Sequence, residues 1–166
     1  MLTTIILSLV MMAGLFLMLY AGVALIQNPR FFSSAPKEVQ AAVQPKPERF
    51  RGAHFFGWFL AIIAIVLMGG AVFFGCWDGI RNGYSFGQFF LRFLIMLLSL
   101  KAYDVLFFDF FLLCRSDFFP RYYPEVKELL GPHLFGYNWK SHVLTGSLSI
   151  AGAAALAGIC VWIAGA

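Results

Sequence analysis

Lys101, Asp104 and Asp109 stand in the run "LKAYDVLFFDFFLLCR" (100–115), which is otherwise apolar enough to lie in a membrane. Two carboxylates and an ammonium in such a place can hold the polar head of a ligand, relay a proton or line an ion path. Each costs at least ~2.5–3.5 kcal/mol at mid-bilayer, so such charges face partners, water or a bundle interior. On an α-helical wheel at about 100° per residue, Lys101, Asp104, Asp109 and Arg115 share an arc of about 140°, and Arg92 falls opposite. Lys101 and Asp104 are three apart and can pair on one helix. Asp109 has no cation three or four residues away, so its partner must be water, another helix or the following connection. Candidates there are Arg121, His133, Lys140 and His142, with Phe108 in the apolar wall. The bland alternative shifts the helix outward, so that the three charges lie at the interface with Lys101 snorkelling. Arg92, two turns from the other end of the run, is expected to snorkel outward.

Metal chemistry finds little footing, and no cofactor is expected. His133 and His142 are nine apart, with no HxxxH or HExxH spacing. Asp104 and Asp109 diverge by about 140° on an α-helix, so a site using both needs the next connection to fold back under the helix. "DGIRNG" has the Asp-Gly that opens the CDP-alcohol phosphotransferase signature, but the later Ala-Arg and paired aspartates are missing. Nucleophile-elbow and phosphate-loop patterns are absent too.

The elements that must position these residues follow from composition. Of 166 residues, 61% are hydrophobic and 12% charged, against about 25% charged in ordinary soluble domains. So much apolar surface exceeds what a soluble core of this length hides, which implies a single polytopic membrane domain over 1–166. The net charge of +4 does not form a basic tract, so it points to lipid headgroups rather than nucleic acid.

Four apolar runs are expected to span, at about 2–26, 55–77, 86–114 and 143–164. The first is too long for a signal h-region and lacks a basic start. Gly69, Gly70 and Gly75 suggest close packing or a kink in the second. The third, roughly 43 Å as one helix, must tilt, protrude or break. In the fourth, Thr145, Ser149, Ala153 and Ala157 recur every four residues, with Gly146, Ala154 and Gly158 beside them. Such a small-residue stripe serves internal packing or, failing that, a homo-oligomer face.

"SSAPKEVQAAV" reads as a short surface helix with Ser34 as N-cap and Pro36 in its first turn, ended by Pro45 and Pro47. "YPEVKELLG" reads as a two-turn helix from Pro124 to a Gly131 cap. "DGIRNGYS" (78–85) reads as a tight polar turn. Cys76, Cys114 and Cys160 are far apart and are expected to be free thiols. The two long connections are net basic and the middle turn is neutral, so the connections belong in the cytoplasm and both termini outside.

"APKEVQAAVQPKPERFRG", "KAYDVLFFDFFLLC", "YYPE" and "GPHLFGYNWKSH" together resemble small four-span bacterial membrane proteins. The resemblance implies the four-span fold and brings no catalytic residues. The expectation is an all-α, four-helix membrane bundle in the cell membrane, with short interfacial helices in its long connections. Lys101, Asp104, Asp109, Phe108, Arg121, His133 and His142 are expected to bind an amphipathic or lipid-like ligand, as a binding protein or an accessory subunit. Expected partners are membrane lipids, a second copy or a larger membrane complex. The alternatives are a small oligomeric transporter or channel, and a membrane-embedded lipid-modifying enzyme with Asp104 or Asp109 as base.

Overall fold

The structure, a computed structural model, describes residues 1–29 and 35–165. All regular structure among the described residues is helical. The order is α1 (Leu2–Tyr20), a π-helical segment (Ala21–Ile26), α2 (Lys37–Ala42), α3 (Ala53–Arg81) and α4 (Phe86–Tyr103). A second π-helical segment (Asp104–Leu113) and α5 (Phe118–Tyr122) follow. Two 3-10 turns (Pro124–Leu129, Pro132–Leu134) then lead to α6 (Trp139–Ala164). Leu2–Ile26, Ala53–Arg81 and Trp139–Ala164 are long and apolar enough to cross a membrane. The run from Phe86 to Leu113 is not among them; it carries Arg92, Lys101, Asp104 and Asp109, and its hydrogen bonding changes at Asp104.

Several expected boundaries move. α3 outruns its apolar stretch at both ends, so Asp78 to Arg81 form its last turn rather than a loop. α6 starts at Trp139, earlier than the apolar run. Ser34 lies outside the described residues, and Pro36 stands at the N-cap of α2. The chain from Pro124 is a 3-10 turn capped at Leu130, not an α-helix reaching a Gly131 cap.

The chain gathers into two compact units. The first comprises Met1–Gly14, Val66–Tyr103 and Trp139–Ala166. Its core sets Phe89, Phe93 and Met96 of α4, one or two turns apart, against Ala153, Ala157 and Cys160 of α6. The small α6 residues let α4 come close, and Leu97 Cδ1 lies 3.7 Å from where a Cβ on Gly152 would be. The stripe through Ala153 and Ala157 therefore packs inside this unit. Of the α3 glycines, Gly75 faces Phe93, Leu7 and Arg92, whereas Gly69 and Gly70 meet nothing. Contrary to expectation, Cys76 and Cys160 are joined as a disulfide, with Cα atoms 5.7 Å apart. Only Cys114 is a free thiol.

The second unit comprises Leu15–Ile65 and Asp104–Asn138. Its first π segment ends at Gln27, in the left-handed region at φ 51°, whose N–H donates to the Gly22 carbonyl, five residues back. There the chain passes so close to α3 that a Cβ on Gly57 would sit 2.6 Å from Ile26 Cγ1. The two connections meet in this unit. Lys46 Nζ donates to Glu125 Oε2 at 2.8 Å and lies 5.0 Å above the ring of buried Tyr123. Arg49 sits 5.2 Å over Tyr122, and Val39, Val43 and Val126 are buried. Burial alone would raise the Glu125 carboxyl; the Lys46 hydrogen bond and charge, with backbone donors, outweigh it and hold the group below its ordinary range.

Candidate functional site

Within the second unit, Asp104 opens the π segment and Asp109 lies in its middle. An α-helix would turn residues five apart away from each other by about 140°. Hydrogen bonding from i to i+5 widens the turn and lessens that divergence. In the π segment Asp104 and Asp109 therefore diverge less than the α-helical wheel assigns. A second observation agrees. Burial pushes the Tyr137 phenol up to about 12, and the negative charges of Asp109, Asp104 and Cys114 act in the same direction. Both carboxylates therefore lie within electrostatic reach of one phenol. Tyr137 stays protonated and can donate a hydrogen bond.

The connection reaches this place because it folds back beneath the π segment. Phe135 meets Phe110 edge-on at 5.2 Å, and Arg115 lies 5.2 Å over the Phe110 ring. Phe107 stacks on Phe111 at 5.6 Å and meets Phe16 edge-on at 5.9 Å. Phe108 is buried. Asp104 and Asp109 are half-buried, with the phenylalanines of the π segment beside them in the chain and Tyr137, 38% exposed, within their electrostatic reach. Carboxylates there can accept hydrogen bonds from a cationic or donor group, and phenylalanines can contact an apolar one.

The other expected site residues distribute as follows. Lys101 lies in the last turn of α4 and His142 in the first turn of α6; both are half-buried and belong to the first unit. Arg121 is exposed and lines a groove of about 480 Å³ with Asp117, Pro120, Pro124 and Lys127. His133 is exposed in the second 3-10 turn. Among the described residues, no three His, Cys, Asp or Glu side chains come together as a set for a metal ion.

The first unit holds a locus that the apolar pattern concealed. Arg92, expected to snorkel, is only 3% exposed. Its Nη2 makes an ion pair with Asp78 Oδ2 at 2.7 Å and donates to the Tyr84 hydroxyl at 2.8 Å. Its Nη1 donates to the Gly75 carbonyl at 2.6 Å, and the guanidinium lies 4.4 Å from the Tyr84 ring centroid. The α3–α4 hairpin builds this arrangement. The helical continuation of α3 to Arg81 swings Asp78 inward, and Asn82 Nδ2 donates to the Asp78 carbonyl and carboxylate at 2.6 and 3.2 Å. Gly83 turns the chain at φ 62°. Gln88 Oε1 accepts from the Ser85 N–H at 2.8 Å, a capping interaction that starts α4. Gly79 lets the Phe89 ring pack against the α3 backbone, in space that a Cβ would occupy.

The bonds of Arg92 do not use all its donors. Its Nε is buried and has no hydrogen-bond partner. An unsatisfied donor in an apolar interior costs about 1–3 kcal/mol. Cavities touch both members of the ion pair. One of about 200 Å³ is lined by Thr4, Tyr84, Gln88, Leu91 and Arg92. One of about 360 Å³ is lined by Phe74, Trp77, Asp78, Arg81 and Asn82.

No known protein family, curated protein or solved structure matches the chain.

Proposed function

We propose that this is a four-span protein of the cell membrane that binds an amphipathic, lipid-like molecule. The polar head of the ligand is held by Asp104, Asp109 and Tyr137, and its apolar body lies along the neighbouring phenylalanines. The observation that supports the reading is the π segment, which opens at Asp104 and holds Asp109 in its middle, with both carboxylates within electrostatic reach of Tyr137. π segments are rare and concentrate at functional sites, because they sacrifice regular packing to re-aim side chains. Phe86–Leu113 completes the four as the third span in chain order, and its charges are accommodated by internal partners rather than lipid.

Two features support the orientation. The basic connections, with Lys37, Lys46, Arg49, Arg51, Arg121 and Lys140, belong on the cytoplasmic side. Cys76 and Cys160, within the last two turns of α3 and α6, then lie at the outer ends, where an oxidising compartment preserves disulfides. Cys114, a free thiol, closes the third run at its cytoplasmic end.

Native mass spectrometry of the full chain, released from its membrane in mild detergent, tests the proposal. The expected spectrum carries a reproducible adduct of lipid-like mass that Asp104→Asn and Asp109→Asn lose while remaining folded. A wild-type chain that is always bare, or an adduct indifferent to both substitutions, rejects the site.

A further inference from the structure

We infer that the α3–α4 hairpin carries a separate anion site on Arg92, which takes a phosphate or carboxylate head. The site is independent of Asp104 and Asp109 and rests on the membrane reading only for one of its two ligand sources. Three observations converge on it. Arg92 is a fixed cation, 97% removed from solvent, whose Nε–H has no acceptor although its other nitrogens are bonded. It contributes to the wall of a cavity of about 200 Å³. The other polar groups of that wall have donors to give. The Tyr84 hydroxyl, having accepted from Nη2, keeps its own O–H, and the Gln88 carboxamide, whose oxygen is used by Ser85, keeps its NH2.

No carboxylate lines this cavity; Asp78 faces the larger one instead. Arg81 stands beside Asp78 there, so the hairpin keeps one positive charge after the ion pair is counted. A wall of donors around a held guanidinium selects an anion with several oxygens, which Arg binds with fixed geometry. The volume suits a headgroup rather than a whole drug-sized molecule. Leu91, 48% exposed at the rim, gives an acyl tail an apolar exit. The anion comes either from an acidic phospholipid or from the aqueous phase.

The full chain, labelled with 15N-arginine in neutral detergent micelles, provides the test. The Arg92 Nε–H signal is assigned by its loss in Arg92→Lys. Phosphatidylglycerol, inorganic phosphate and, as uncharged control, diacylglycerol are titrated separately. A saturable shift of the Arg92 signal with phosphatidylglycerol alone identifies a lipid site. A shift with inorganic phosphate as well identifies a soluble anion. Gln88→Leu, which leaves the guanidinium in place, is expected to weaken either binding at least threefold. It also serves if Arg92→Lys does not fold, because the shifting signal can then be assigned by replacing the other arginines. No shift with either probe, or binding unaltered in Gln88→Leu, overturns the site and leaves Arg92 as a tie within the hairpin. Because Asp104 and Asp109 take no part, this outcome does not bear on the lipid-like adduct.

Discussion

Asp78→Ala would leave Arg92 buried without its counter-ion. The guanidinium would keep the Gly75 carbonyl and the Tyr84 hydroxyl as acceptors but lose the only anion bonded to it. Removing one partner of a buried pair costs about 3–5 kcal/mol, because the remaining charge stays out of water. Asp78 itself is 27% exposed, so water can follow the truncation, and the lower end of that range, about 3 kcal/mol, is expected. Arg92→Met alone should cost less, since the freed carboxylate reaches solvent. The double variant Asp78→Ala/Arg92→Met should recover most of the loss, with a coupling energy of about 2 kcal/mol. Equilibrium unfolding in mixed micelles with increasing dodecyl sulfate, followed by tryptophan fluorescence, measures all four corners of the cycle. A coupling below about 0.5 kcal/mol is what an exposed ion pair gives, and it would refute the buried tie.

The packing makes a second prediction. Gly57→Ala places a methyl 2.6 Å from Ile26 Cγ1 and 3.2 Å from the Ile26 backbone nitrogen, so side-chain rotation alone cannot relieve it. A loss of about 1–3 kcal/mol is expected in the same unfolding assay, whereas Gly70→Ala, with open space around it, should change little. Thiol counting under denaturing conditions should find only Cys114 before reduction and all three cysteines after it. Cys76→Ala should then leave Cys160 free to alkylate. Glu125 titrates below its ordinary 4.5 in the folded chain, so it binds fewer protons folded than unfolded. Its stabilisation is therefore present above pH 4.5 and is lost as the pH falls through the lowered value. Glu125→Gln should flatten that acid limb, as followed by thermal unfolding across pH 3–6.

Much of this was legible because apolar runs of twenty or more residues have few alternatives to a helix. The every-fourth-residue stripe of α6 correctly announced an interior face, since Ala153 and Ala157 disappear into the core. The placing of Arg92 failed for a nameable reason. Ending the second apolar run at Trp77 put Asp78 in a loop, and one more helical turn reverses the direction of that carboxylate. Arg92 and Tyr84 then look like an interfacial cation and a turn aromatic, although the hairpin brings them together. The disulfide was hidden by distance: 84 residues separate Cys76 from Cys160, and each sits among apolar neighbours as a small hydrophobe would.

The carboxylate pair shows a deeper limit of pattern reading. A helical wheel presumes i to i+4 hydrogen bonding, and the angle it assigns to Asp104 and Asp109 holds only if that presumption does. Nothing in "DVLFFDFFLL" marks a π segment, because the choice between hydrogen-bond registers is small in local energy and is settled by what packs around the helix. Phe16, on Phe107, and Phe135, on Phe110, make those contacts from other segments of the chain. The angle that a five-residue spacing implies therefore depends on the hydrogen-bond register of the helix that carries it. Charges kept in an apolar run need compensation wherever they stand. Arg92 obtains it from Asp78 across the α3–α4 hairpin. A charge in an apolar run is thus placed by what the fold brings to it, so its environment is read from the packed helices and not from the run alone.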